Sequence, residues 1–233
     1  MRDEEKAIKT GKHSSHPSSF TLPPSSSVAA ILLAAGRSRR MGAFKPLLPF
    51  GDQTVVEACI NHLAEGGVGT ISVVLGHRAG EMRERLSHLP VTFAVNTDAE
   101  SEMGVSIALG VEQLPAEAKT ILIALGDQPA IPAEVIRFLI SERVRTGACL
   151  VVPQHEGRGG HPVLIDGSFR EELLRLDAER GLRALFDAHR DEVLRPAVAS
   201  PYVARDMDTW DDYRALHLEV FGVAPPPRPR ADE

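Results

Sequence analysis

Five short apolar runs fix most of what this chain can become: VAAILLAA (28–35), TISVVLG (70–76), VTFAVN (91–96), TILIALGD (120–127) and ACLVVPQ (148–154). Each is short and apolar throughout, the pattern of a strand buried on both faces. The stretches between them are amphipathic. In AEVIRFLISERVRTG (133–147), Val135, Ile136, Leu139 and Ile140 recur at helical spacing. Strand then helix, repeated, requires right-handed crossovers and a mainly parallel sheet. The expected fold is therefore α/β, a single three-layer α/β/α domain with a Rossmann-like sheet. Helix punctuation agrees: Asp52 precedes a helical segment over 53–65 that stops at Gly66-Gly67, and Pro132 opens the helix that follows Asp127.

Composition bounds the rest. The 233 residues, 43% of them hydrophobic, suffice for one substantial core. Residues 1–27 hold seven Ser and three Pro with scattered apolar side chains, and the chain closes on APPPRPRADE. Neither end can offset its ordering entropy by burial, so 1–27 and 223–233 are expected to be disordered tails around a domain at 28–222. No run resembles a signal peptide or reaches the roughly 18 apolar residues of a membrane span, and a cytoplasmic location is expected. Cys59 and Cys149 form no CxxC and sit in apolar surroundings, as small reduced core residues do. The net charge of −6 argues against a nucleic-acid partner, which usually meets a domain-wide basic excess.

Positive charge is instead local. LLAAGRSRRMGAFKPLLPF (32–50) places Arg37, Arg39, Arg40 and Lys45 within nine residues, with no acid from Ala35 to Phe50. On an acidic chain that suits a small anion. Gly36 and Gly42 let the backbone approach such a ligand and present N–H groups to it. The stretch lacks the Gly-Lys-Ser/Thr of a Walker loop and the G-x-G-x-x-G of a dinucleotide fold, which counts against an oxidoreductase. In an open α/β sheet ligands bind beyond the carboxyl ends of the strands. LGDQP puts Asp127 at such an end, where a carboxylate can hold Mg²⁺ against phosphates. ARDMDTWDDY adds Asp206 and Asp208 on one face of an extended segment, either of which can supply a second metal carboxylate. Asp211 and Asp212 fall in the first turn of a following helix, where they offset its dipole. The nine histidines show no zinc spacing.

The order L-A-A-G-x-S-x-R-M-G-x-x-K, G-D-Q-P, G-H-P-V, D-x-D-T over roughly 28–218 resembles the nucleotidyltransferases that act on the molybdenum cofactor, the MobA-like family. Ala35, GRGGHPVLI (157–165) and ERGLR (179–183) resemble its molybdopterin cytidylyltransferase branch, which uses CTP. Family members often read G-D-x-G-A-R where this chain has Ala178-Glu179-Arg180-Gly181-Leu182-Arg183. The resemblance implies a fold of the nucleotide-diphospho-sugar transferase type and a Mg²⁺-dependent transfer of CMP to the terminal phosphate of the pterin cofactor, with pyrophosphate released. A molybdoenzyme or its maturation chaperone would receive the product.

On that resemblance, Arg40, Lys45 and Asp127 are the catalytic candidates. Nucleotide contacts fall on Leu33, Ala34, Ala35, Gly36, Arg37, Ser38, Arg40, Met41, Gly42 and Lys45, with Asn96, Ser106, Gly126 and Asp127 from later strands. Asp127 and Asp208 are the expected Mg²⁺ ligands, with Asp206 in reserve. Gln128, Gly160, His161 and Arg183 fall on the acceptor side. The same scaffold admits GTP as donor, a sugar phosphate or another small phosphate as acceptor, or a nucleotide-binding or cofactor-delivery module without turnover.

Overall fold

The structure, a computed structural model, describes residues 27–38, 40–98, 101–177 and 179–228. The expected N-terminal tail up to residue 26, the far end of the C-terminal one, and Arg39 lie outside them. In chain order the strands are β1 (Val28–Ala34), β2 (Pro49–Phe50), β3 (Gln53–Thr54), β4 (Thr70–Leu75), β5 (Thr92–Val95), β6 (Thr120–Leu125), β7 (Leu150–Val151), β8 (Gln154–His155), β9 (Arg158–Gly159), β10 (Val163–Asp166) and β11 (Val193–Leu194). The helices are α1 (Val55–Glu65), α2 (Ala79–Arg85), α3 (Met103–Glu112), α4 (Ala133–Thr146), α5 (Arg170–Leu174), α6 (Leu182–Ala188) and α7 (Trp210–Phe221).

Seven strands form one sheet in the order β11-β7-β10-β6-β1-β4-β5, with β1, β4, β5 and β6 mutually parallel. β1 lies at its centre, and alternate residues serve opposite layers. Ala30 and Leu32 pack with Val56, Ile60, Met82 and Leu139 of α1, α2 and α4, whereas Ala29 and Ile31 pack with Ile107, Val111, Leu173 and Leu185 of α3, α5 and α6. Leu32 and Ile31 are both fully buried, each contributing about 1.5–3 kcal/mol of transfer free energy. This is the expected three-layer α/β/α architecture.

Three details differ from the sequence expectation. Helix α1 starts at Val55 rather than 53, and Thr54 caps it in place of Asp52. The Thr54 hydroxyl accepts from the Glu57 N–H at 3.4 Å while the Glu57 carboxylate accepts from the Thr54 N–H at 2.7 Å, a reciprocal capping box. ACLVVPQ contributes only Leu150–Val151 to the main sheet, because Gln154–His155 turns back on Arg158–Gly159. Val163–Asp166 then runs antiparallel between β6 and β7. Asp212 caps α7 through Thr209, so it is a capping-box residue as well as a helix-end charge.

The carboxyl ends of the four parallel strands β1, β4, β5 and β6 lie along one edge. No helix among the described residues is long and apolar enough to cross a membrane.

Candidate active site

After β1 the chain turns back on itself around Ser38, whose φ of 53° lies in the left-handed region. Its carbonyl accepts from the N–H groups of Met41 and Gly42 at 3.0 and 3.3 Å, and its hydroxyl accepts from the Lys45 N–H at 3.0 Å. The turn is nailed down by Met41, fully buried against Leu48, Phe50 and Tyr213. A short 3-10 turn, Lys45–Leu47 with Pro46 at its start, then aims the Lys45 side chain inward.

Lys45 is the pivot of the site. Its buried ammonium donates to Oδ2 of Asp127 at 3.1 Å and to Oδ1 of Asp208 at 2.9 Å, and Arg40 reaches Oδ2 of Asp208 at 2.9 Å. A buried ammonium requires such partners, since an unpaired charge costs several kcal/mol. Hydrogen bonding from Lys45 holds the Asp208 carboxyl below the usual carboxylate range; burial opposes this, and the positive charges of Lys45 and Arg40 add to it. Asp127 follows directly on β6, and Asp208 immediately precedes α7. Two distant segments therefore present one oxygen cluster.

Lys45 and Asp127 of this cluster line a cavity of about 660 Å³, and Asp208 stands behind Lys45, outside the cavity walls. Of the expected nucleotide contacts, Leu33, Ala34, Ala35, Gly36, Arg37, Ser38, Lys45, Asn96, Ser106, Gly126 and Asp127 line it. Arg40, Met41 and Gly42 do not: Met41 is core, and Arg40 and Gly42 stand outside the walls on an exposed turn. Buried Asn96 builds the wall contributed by the segment after β5. Its side chain donates to Ser101 Oγ at 2.6 Å and Ser106 Oγ at 2.9 Å and accepts from the Asp98 N–H at 3.1 Å. Ser106 is thus held in the cavity wall by Asn96.

Gly76, His77 and Arg78, which follow β4, also line the cavity and were not singled out by sequence. Their signal was position alone, just past a parallel strand. The Phe44 ring meets His77 edge-on at 5.8 Å and carries the Arg78 guanidinium at 5.1 Å, while Glu81 holds Arg78 from its far side at 2.6 Å.

The acceptor-side residues divide. Gln128 is buried beside Asp127, its amide donating to the Arg205 carbonyl at 3.4 Å and its own oxygen without a protein partner. Gly160 is pressed against the Val203 carbonyl, which accepts from the His161 N–H at 2.9 Å. Burial pushes the His161 imidazole below its usual range, opposed by the negative charges of Asp206 and Asp127. Asp206 is exposed and takes no part in the Lys45 pairs; it lines a small depression with Gln128 and Arg205. Arg183 is exposed in the first turn of α6, away from the cavity walls.

Asp127 and Asp208 suit a small hard cation: both are oxygen donors within reach of a single positive centre, which Lys45 supplies here. Among the described residues no group of three His, Cys, Asp or Glu could hold a metal. Any ion would therefore complete its shell with phosphate and water oxygens, as Mg²⁺ does.

Comparison with known proteins fits this geometry. The MobA-like NTP transferase domain matches residues 30–193. The chain belongs to the MobA-like NTP transferase family. Molybdenum cofactor cytidylyltransferase of Escherichia coli K12 is 27% identical over 81% of this chain and 94% of its own length. Nicotine blue oxidoreductase of Paenarthrobacter nicotinovorans is 34% identical over 61% of this chain and 72% of its own. The crystal structure of Rv0371c from Mycobacterium tuberculosis H37Rv superposes with a TM-score of 0.73 at 31% identity, covering 82% of this chain and 96% of that one. The same protein in complex with manganese gives a TM-score of 0.69 at 28% identity, over 82% and 97%. As a MobA-like transferase the protein is a nucleotidyltransferase enzyme. Asp208 lies beyond the matched span, on the segment that leads into α7.

Proposed function

We propose that this MobA-like transferase moves CMP from CTP to the terminal phosphate of a molybdopterin-type acceptor in the cytoplasm, releasing pyrophosphate. The observation that carries the reading is the convergence of Asp127 and Asp208 on Lys45, which with Asp127 lines a cavity also walled by the β1 loop and Asn96. The cytidylyl choice leans on Ala35 and on likeness to the cytidylyltransferase of Escherichia coli along nearly all of that enzyme's length.

In the proposed reaction an oxygen of the acceptor phosphate forms a bond to the α-phosphorus of CTP, while the bond from that phosphorus to the α,β-bridging oxygen breaks. A phosphate monoester loses its second proton near pH ~6, so the nucleophile is already ionised and no general base is needed. The chain's task is positioning and charge neutralisation. Backbone N–H groups from Ala35 to Ser38 cradle the phosphates, and Lys45 turns its ammonium toward the departing pyrophosphate. Arg40 exchanges Asp208 for a phosphate oxygen. Mg²⁺ held by Asp127 and Asp208 would supply the remaining neutralisation of the triphosphate. Gln128, with an unpartnered oxygen, and His161 face the acceptor side.

Pyrophosphate release tests this, measured with Mg²⁺ and CTP, GTP, ATP or UTP in turn, with and without molybdopterin. Release with CTP alone, and only with pterin, supports the reading. Release with GTP, or with a sugar phosphate as acceptor, replaces the donor or the acceptor. Binding of triphosphate without turnover on any acceptor favours a delivery module.

A further inference from the structure

The segment after α7 folds back onto the site's outer edge. The guanidinium of Arg228 stands over the ring of Trp210, 5.7 Å from its centroid. Its Nη2 end also presses on Gly42: a Cβ built there would stand 3.0 Å from Arg228 Cζ and 3.6 Å from Nε, and nearer still to Nη2. Gly42 has a φ of 64°, and only a residue without a side chain both adopts that conformation and leaves room for the guanidinium.

These contacts close a ring. Arg40 pairs with Asp208 at 2.9 Å. Trp210 follows Asp208 by two residues and packs on buried Tyr213, with ring centroids 5.0 Å apart. Arg228 bridges from Trp210 to Gly42, which follows Arg40 by two residues. The Arg40 side chain is 75% exposed. Its own pairing with Asp208 is broken whenever a phosphate draws it away; Met41 and Ser38 then still anchor the inner side of the turn, and the Arg228 clasp holds its outer side.

We infer that Arg228 is a positioning residue: clasped between Trp210 and Gly42, it fixes the turn that carries Arg40 relative to Asp208. The inference rests on the reading of Arg40 and Asp208 as parts of a phosphate-handling site. Arg228 acts through Arg40 and touches no substrate.

The test has two arms. Trp210 is the sole tryptophan of the chain, so its quenching by acrylamide reports the clasp whether or not turnover occurs. Arg228→Ala should raise the quenching constant roughly twofold, as loss of a stacked cation uncovers the ring. The second arm is a double-mutant cycle with Arg40→Ala. In the wild-type background Arg228→Ala should weaken CTP binding, read by calorimetry, roughly threefold and lower the pyrophosphate release rate by a further factor of about three. In the Arg40→Ala background both effects should vanish. Arg228→Lys, which keeps the charge and loses the planar stack, should restore only part. Unchanged quenching would show that no clasp forms, and equal effects in both backgrounds would show that Arg228 does not work through Arg40. Either outcome overturns the inference. If the wild-type chain releases no pyrophosphate with any acceptor, the transfer reading fails on its own, and the quenching and binding arms still decide the role of Arg228.

Discussion

Lys45 Nζ stands 2.9 Å from Oδ1 of Asp208, across 163 residues of sequence. The same nitrogen stands 3.1 Å from Asp127. One cation from the β1 loop thus holds together two carboxylates that would otherwise repel. On the proposed reading, removing it acts twice: the phosphates lose a ligand, and two anions are left facing each other. Lys45→Ala should lower the rate of pyrophosphate release roughly 10²–10³-fold. Steady-state kinetics at saturating triphosphate and Mg²⁺ checks this.

Asp208 also gives the site a pH signature. Its carboxyl is held below the ordinary range by Lys45, so the native state binds its proton less readily than the unfolded chain. The stabilisation is fully present above the ordinary Asp value of about 4 and is lost as pH falls through the lower native value. Melting temperature followed from pH 6 to pH 3 should therefore fall more steeply for wild type than for Asp208→Asn, the two curves converging at the acid end.

Asn96 organises the cavity wall contributed by the segment after β5 through Ser101, Ser106 and the Asp98 N–H. Asn96→Ala should cost about 1–3 kcal/mol of stability, the range for leaving buried partners unpaired. It should also weaken triphosphate binding by roughly tenfold while the rate at saturation changes little. Denaturant titration and calorimetry separate the two effects.

Gly160 has no room for a side chain beside the Val203 carbonyl. Gly160→Ala should destabilise by roughly 1–3 kcal/mol, as overpacking does, and raise KM for the acceptor more than KM for CTP, because the turn that carries His161 must shift. If the KM values for CTP and acceptor rise equally, the turn is not an acceptor wall.

Much of this was legible in advance, for identifiable reasons. The runs 28–35, 70–76, 91–96 and 120–127 are buried on both faces, so pattern alone marked β1, β4, β5 and β6, and the rule that ligands bind past strand ends pointed to Ala35, Asn96 and Asp127. What stayed hidden depended on neighbours. β10 spans four residues, Val163–Asp166, and takes its antiparallel place from β6 and β7 rather than from its own periodicity. Thr54 displaced Asp52 as a cap because Glu57 answers it from three residues on. Met41 read as part of a ligand loop, yet its side chain turns into the core while its neighbours stay outside. His77 and Arg78 carried no charge pattern; packing on Phe44 brings them to the cavity. Tail composition held no sign that Arg228 would meet Trp210.

The central claim is that the Lys45–Asp127–Asp208 cluster transfers a nucleotide to a phosphate acceptor. It is tested most directly with CTP labelled at the α-phosphorus, incubated with Mg²⁺ and molybdopterin, with the products separated. The account predicts label in a pterin dinucleotide for the wild-type chain and none for Asp127→Ala. Label that stays in CTP for the wild-type chain, or product formed equally by Asp127→Ala, would contradict it.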